Sequence, residues 1–91
     1  MKVEWSAEAR ADLVAVREFI SSVSDEAASR LITRVVERTA QLIRFPHSGA
    51  IVANRELMRV RELLEHDYRI LYAVGEDTVV VLAVVHGRRK L

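Results

Sequence analysis

The hydrophobic pattern changes period at Pro46, and that change bounds what the chain can become. Before it, inward-type residues recur every three or four positions: Ala9, Leu13, Val16, Ile20 and Val23, then Ala28, Leu31, Ile32, Val35, Thr39, Leu42 and Ile43. Such spacing gathers each set on one side of a helix. After it the period is two. Met58 and Val60 alternate with Arg59 and Arg61, and Tyr68, Ile70, Tyr72 and Val74 alternate with Arg69, Leu71 and Ala73. These are half-buried strands. Proline disfavours helical geometry in the residue before it and cannot donate a backbone bond, so the second helix should stop near Phe45.

Local signals set the remaining boundaries. Residues 2–5 read as a brief strand, and Ser6 can cap a helix with Glu8 in its first turn. Ser24 caps the second helix, followed by Asp25 and Glu26. A short joint between two amphipathic helices predicts an antiparallel hairpin. Strands are predicted over 57–64, 68–74 and 78–86, with turns at Glu65-His66-Asp67 and Gly75-Glu76-Asp77. The last strand is almost wholly apolar and β-branched, as in a central strand covered on both faces. The expected order is β-α-α-β-β-β. That is an α+β fold, a helical hairpin packed on a mainly antiparallel, curled sheet.

Ninety-one residues predict one domain over 1–91. A chain 51% hydrophobic and 30% charged leaves no room for a long disordered tract. The absence of cysteine excludes disulfides, thiolate metal sites and thiol catalysis. The longest apolar run, 79–85, is too short to cross a bilayer, and the opening residues do not form a signal peptide, so a cytoplasmic protein is expected. The net charge is +1, yet of the 14 basic residues only Lys2 and Lys90 are lysine. Arginine suits bidentate contact with carboxylate or phosphate. A coding bias towards arginine would give the same composition.

Four strings, in order, carry a family resemblance. Val3-Glu4-Trp5-Ser6 with Ala9 and Asp12-Leu13 resembles the opening of ParE-type toxins. Phe45-Pro46-His47-Ser48-Gly49 resembles their exit from the second helix. Tyr68-Arg69-Ile70-Leu71-Tyr72 is similar to their third strand, and Val84-Val85-His86-Gly87-Arg88-Arg89 to their last strand and terminus. The chain thus resembles the RelE/ParE toxin superfamily over nearly its whole length. The resemblance implies a toxin of a type II toxin–antitoxin module, in a hetero-oligomer with an antitoxin whose C-terminal segment wraps it. RelE-like members cut mRNA on the ribosome and ParE-like members poison DNA gyrase, so the fold leaves the target open.

Metal-free RNA cleavage needs a base, cations to stabilise the phosphorane, and an acid for the leaving oxygen. Arg61, Arg69, His86 and Arg88 are the candidates for an enzyme of that kind. Each has a plainer reading: Arg61 and Arg69 paired with Glu62 or Glu65, His86 as a structural strand end, and Tyr68 and Tyr72 as core and rim. RelE-like nucleases carry an aromatic or histidine in a C-terminal extension and several lysines before the third strand. This sequence stops at Leu91 and has only Arg55, Arg59 and Arg61 in that segment. The departure favours the ParE branch, with gyrase as target, a ParD-like antitoxin and no catalytic residues. The alternatives are the ribosome-dependent endonuclease and a non-toxic member that still binds an antitoxin. The expected binding surface comprises Arg59, Arg61, Arg69, Arg88, Arg89 and Lys90, with Arg61 and Arg69 sharing a face of the sheet, although Arg88 to Lys90 also read as a solvated tail. A helical antitoxin segment would lie between the hairpin and the sheet, its acidic residues meeting these arginines. His47 and His66 sit in loops without a spaced partner, so neither a metal nor another cofactor is expected.

Overall fold

The computed structural model describes residues 1–55 and 58–87. In chain order they form β1 (Lys2–Trp5), α1 (Ala7–Ser21), α2 (Asp25–Ala40), a 3₁₀ turn (Gln41–Ile43), β2 (Ala50–Arg55), β3 (Met58–Glu65), β4 (Tyr68–Val74) and β5 (Thr78–His86). The strands make one sheet in the order β1-β5-β4-β3-β2, with β1 parallel to β5 and the other pairs antiparallel. This is the expected α+β class with one strand more than the pattern suggested. Ala50–Arg55 escapes a period-two reading because it is short, and because its register shifts between Ile51 and Ala53. A bulge of this kind breaks the alternation that would reveal a strand.

The helices begin where the capping residues place them. The Ser6 hydroxyl accepts from the Ala9 N–H at 3.0 Å, and the Ser24 hydroxyl from the Ala27 N–H at 3.1 Å. Val23 was expected on the inner stripe of α1, but it is 89% exposed. The helix ends earlier because Ser21 and Ser22 turn their hydroxyls back onto the carbonyls of Glu18 and Phe19, competing with further helical bonds. Ile43 was also expected inside and is half exposed. The tighter 3₁₀ turn keeps Leu42 buried and rotates Ile43 outward.

The core lies between the hairpin and one face of the sheet. Ala9, Leu31, Val35 and Leu42 meet Leu63, Ile70, Tyr72, Val79 and Val81, with Trp5 and Leu13 packed at the margin. Three polar contacts tie α1 to β5. The Ser6 N–H donates to the Val81 carbonyl and its hydroxyl to that of Leu82. The Val84 N–H donates to Asp12 Oδ2 at 2.9 Å. The β4–β5 register shifts between Leu71 and Tyr72, and on β5 the shift falls between Val81 and Ala83, beside these anchors. Asp12 therefore gives a partner to a strand N–H next to the irregularity, as a buried backbone donor requires.

Tyr72 is fully buried, and its hydroxyl accepts from the Gly49 N–H at 2.8 Å. A β-carbon at position 49 would fall on the Glu62 carbonyl and the Tyr72 hydroxyl, so only glycine lets the loop approach this closely. Tyr72→Phe should lose about 1–3 kcal/mol in urea unfolding, the cost of leaving one buried donor unmet. Gly49→Ala should lose about as much through overpacking. Wild-type stability in both variants would show that the contact is not made in solution.

Candidate functional site

Directly opposed residues of an antiparallel pair point to the same side of a sheet, and alternate residues along a strand to opposite sides. On β3 and β4 the opposed pairs are Arg61–Tyr72, Glu62–Leu71, Leu63–Ile70, Leu64–Arg69 and Glu65–Tyr68. Leu63, Ile70 and Tyr72 belong to the core under the helices, so Arg61 shares that side. Arg69 opposes Leu64 and lies on the other side with Glu62 and Leu71. The expectation that Arg61 and Arg69 share a face is therefore wrong. The physical reason is parity. Only His66 and Asp67 separate the strands, so an odd-numbered residue of β3 faces even-numbered residues of β4.

Each arginine has its own environment. Arg69 Nε donates to Glu62 Oε2 at 2.5 Å, and both side chains are 17% exposed. This is the Glu62 pairing among the plainer readings, in a mostly desolvated setting. Arg61 donates to the carbonyls of His47 at 3.1 Å and Gly49 at 2.8 Å, so it fastens the segment after α2 to β3. Arg59 is exposed on the same side as Arg61, with no hydrogen bond or ion pair among the described residues. Glu65 pairs with neither strand arginine. It lies 4.0 Å from Arg34 and 3.8 Å from Arg38 of α2, and Arg34 also bonds to His66. Sequence reasoning missed this link between α2 and the β3–β4 turn. Its signal was the spacing of Arg30, Arg34 and Arg38, one helical turn apart.

Among the described residues, the candidate nuclease residues do not come together. His86 opposes Tyr68 and meets its ring edge-on, with centroids 5.6 Å apart and planes at 80°. Tyr72, fully buried, and Tyr68, half-buried, are core and rim. Tyr68 and Tyr72 are four residues apart on β4, so His86 lies about 13 Å along the sheet and about 10 Å across it from Arg61. Arg69 points to the opposite side. Arg88, Arg89 and Lys90 lie outside the described residues.

A second surface combines apolar and charged side chains. A cavity of about 530 Å³ is lined by Trp5 of β1, Leu13 and Val14 of α1 and Ile32 of α2, with Arg10 and Arg17. Val14 is 55% exposed, and Val36 and Ile43 are each about half exposed. Arg10, Val14 and Arg17 fall three and four residues apart, one stripe of α1 beside its buried face. The periodicity of α1 placed Arg10 and Arg17 outside the core but did not show that they flank an apolar depression. That depression exists only because Trp5 and Ile32 arrive from other elements.

The Arg69–Glu62 pair gives a clear stability test. Removing one partner strands the other charge where water is scarce, whereas replacing both with apolar groups removes the conflict. Arg69→Met should lose about 2–3 kcal/mol by denaturant unfolding, less than a fully buried pair would. Arg69→Met combined with Glu62→Leu should lose less than the single change. A double variant as unstable as the sum of the singles would show that the pair is not coupled.

Comparison with known proteins agrees with this architecture. The family model described as the ParE toxin of the type II toxin–antitoxin system parDE matches residues 3–91. Toxin RelE2 of Caulobacter vibrioides is 32% identical over 90 residues, covering 97% of each chain. A chain of the chromosomal ParDE TA system from P. aeruginosa has the same fold, with a TM-score of 0.77 at 24% identity, covering 94% of this chain and 95% of its own. The chain, a helical hairpin over a five-stranded sheet with its terminal strands paired in parallel, belongs to the ParE toxin family of type II toxin–antitoxin systems.

Proposed function

We propose that this toxin, one domain over residues 1–91, acts on DNA gyrase by protein–protein contact and is silenced by a ParD-like antitoxin. The observation that carries the reading is the register of β3 and β4. It puts Arg61 and Arg69 on opposite sides of the sheet and leaves His86 far from Arg61. A metal-free RNA-cleaving site needs an acid, a base and cations converging on one phosphate. The described residues do not supply that arrangement. Net charge also argues for a protein target, because +1 offers little attraction to a polyanion.

The antitoxin is proposed to lay an amphipathic helix into the depression between α1, α2 and β1. Apolar anchors would meet Trp5, Leu13 and Ile32, and acidic residues would meet Arg10 and Arg17. Arg69, Arg88, Arg89 and Lys90 are left as further contacts for antitoxin or target. No described helix is long and apolar enough to cross a membrane, and both partners proposed here place the toxin in the cytoplasm. The name of the Caulobacter relative, RelE2, supports a second reading as a ribosome-dependent mRNA endonuclease.

Purified toxin should inhibit gyrase supercoiling and trap cleaved DNA, while leaving ribosome-bound mRNA intact. His86→Ala should remain toxic when induced in cells. Cleavage of ribosome-bound mRNA that His86→Ala abolishes would reverse the assignment, and inactivity in both assays would point to the non-toxic family member. Val14→Glu should keep the wild-type melting temperature, yet bind the protein encoded beside the toxin gene about tenfold less tightly or worse. Unchanged binding would remove the groove from the antitoxin interface.

A further inference from the structure

We infer that the cavity formed by His47, Arg59 and Arg61 is a carboxylate-binding pocket that captures an acidic side chain of the antitoxin. The inference rests on the antitoxin partnership proposed above but concerns a different surface from the helical groove. The cavity, about 300 Å³, lies on β3 and β4 beside the His47 loop, and Met58, Ala73 and Val74 complete its lining. Among the described residues, no acidic side chain lines it. Elsewhere on the described surface the arginines of the sheet and of α2 sit beside carboxylates: Arg69 with Glu62, Arg34 and Arg38 with Glu65, and Arg30 with Glu26. Here two guanidinium groups share one side of one strand without such a partner among the described residues.

The two arginines are prepared for different tasks. Arg61 is fixed by the His47 and Gly49 carbonyls, and Gly49 is fixed in turn by Tyr72, so this cation is held in place before any partner arrives. Arg59 is two residues along the same side, exposed, with no hydrogen bond or ion pair among the described residues. A planar carboxylate can accept two parallel N–H bonds from such a group. The neighbouring Arg61 adds favourable charge, and its side chain needs no reordering on binding.

Among the described residues, the size of the pocket and the few cations around it favour one carboxylate over a nucleic-acid backbone. Backbone recognition uses a row of cations that follows successive phosphates. The remaining arginines of β3 and β4 do not extend such a row, because Arg69 lies across the sheet in its pair with Glu62. Met58, 45% exposed, adds an apolar contact suited to the stem of a glutamate or an adjoining apolar residue.

Calorimetric titration with the purified protein encoded beside the toxin gene tests the inference. Arg59→Ala should bind about ten- to a hundredfold more weakly than wild type, the range expected for losing a charged hydrogen bond. The deficit should shrink at high salt, where the attraction is screened. Arg30→Ala, an exposed α2 position whose contact with Glu26 is long, should bind like wild type. Arg59→Ala should also melt like wild type, since its exposed side chain makes no hydrogen bond or ion pair among the described residues. Wild-type affinity in Arg59→Ala overturns the inference while leaving the antitoxin partnership intact. Failure of the wild-type chain to bind that protein overturns both. A short single-stranded RNA that binds wild type but not Arg59→Ala, with protein binding unaffected, overturns it in favour of a phosphate site.

Discussion

Burial of β4 on both of its sides is the constraint that fixes the rest of the sheet. Ile70 and Tyr72 are fully buried under the helices, and Leu71 and Ala73 are nearly so on the other side. A strand buried on one side resists a one-residue slip because its apolar set would be turned out to water. A strand buried on both sides could keep its apolar character through a slip, and here specific contacts hold it instead. Tyr72 has a hydroxyl that needs a partner and finds the Gly49 N–H. A slipped register would lose that bond and drive the ring into a space already filled. From Tyr72 the constraint passes to Gly49, from Gly49 to Arg61, and so to the direction in which β3 displays its cations.

The helical layer is held by a separate set of contacts. Ser6 serves three ends: its N–H joins the β1–β5 ladder, and its hydroxyl both caps α1 and bonds to Leu82. Asp12, in the second turn of α1, accepts from Val84. The irregular stretch of β5 is thus joined to the helix that crosses it, and the rotation of α1 about its axis is set. That rotation turns Ala9 inward and leaves Arg10, Val14 and Arg17 along the opening that Trp5 and Ile32 floor. The apolar depression follows from how α1 is pinned, since one stripe of α1 cannot face both the sheet and the groove.

Charge on the described residues is arranged in local pairs and clusters. Acidic residues sit beside most of the arginines on α2 and the sheet, and those ion pairs join elements of the fold: β3 to β4, and α2 to the β3–β4 turn. The more exposed of them, such as Arg30 with Glu26, contribute little to stability. Among the described residues, the depression on α1 and the pocket on β3 each gather two arginines without such a partner. Local cations of this sort discriminate among protein surfaces through bidentate contact and register, without the broad positive field that nucleic acid demands.

The sequence by itself determined the elements and the family. Periods of 3.6 and two, divided at Pro46, gave the helical hairpin and the strands of the α+β fold, because burying one side of an element imprints its repeat on the chain. Ser6 and Ser24 marked the helix starts through their hydroxyls. The assignment of Arg61 and Arg69 to opposite sides was also legible, once the turn at His66-Asp67 is counted as two residues and the parity followed through. Ala50–Arg55 was not legible, because its bulge scrambles the alternation. Nor were the partners of Arg61, the depression around Trp5, or the pocket at Arg59. Those arise from residues far apart in the chain, brought together by packing, and local periodicity records which side of an element is buried but not what it is buried against.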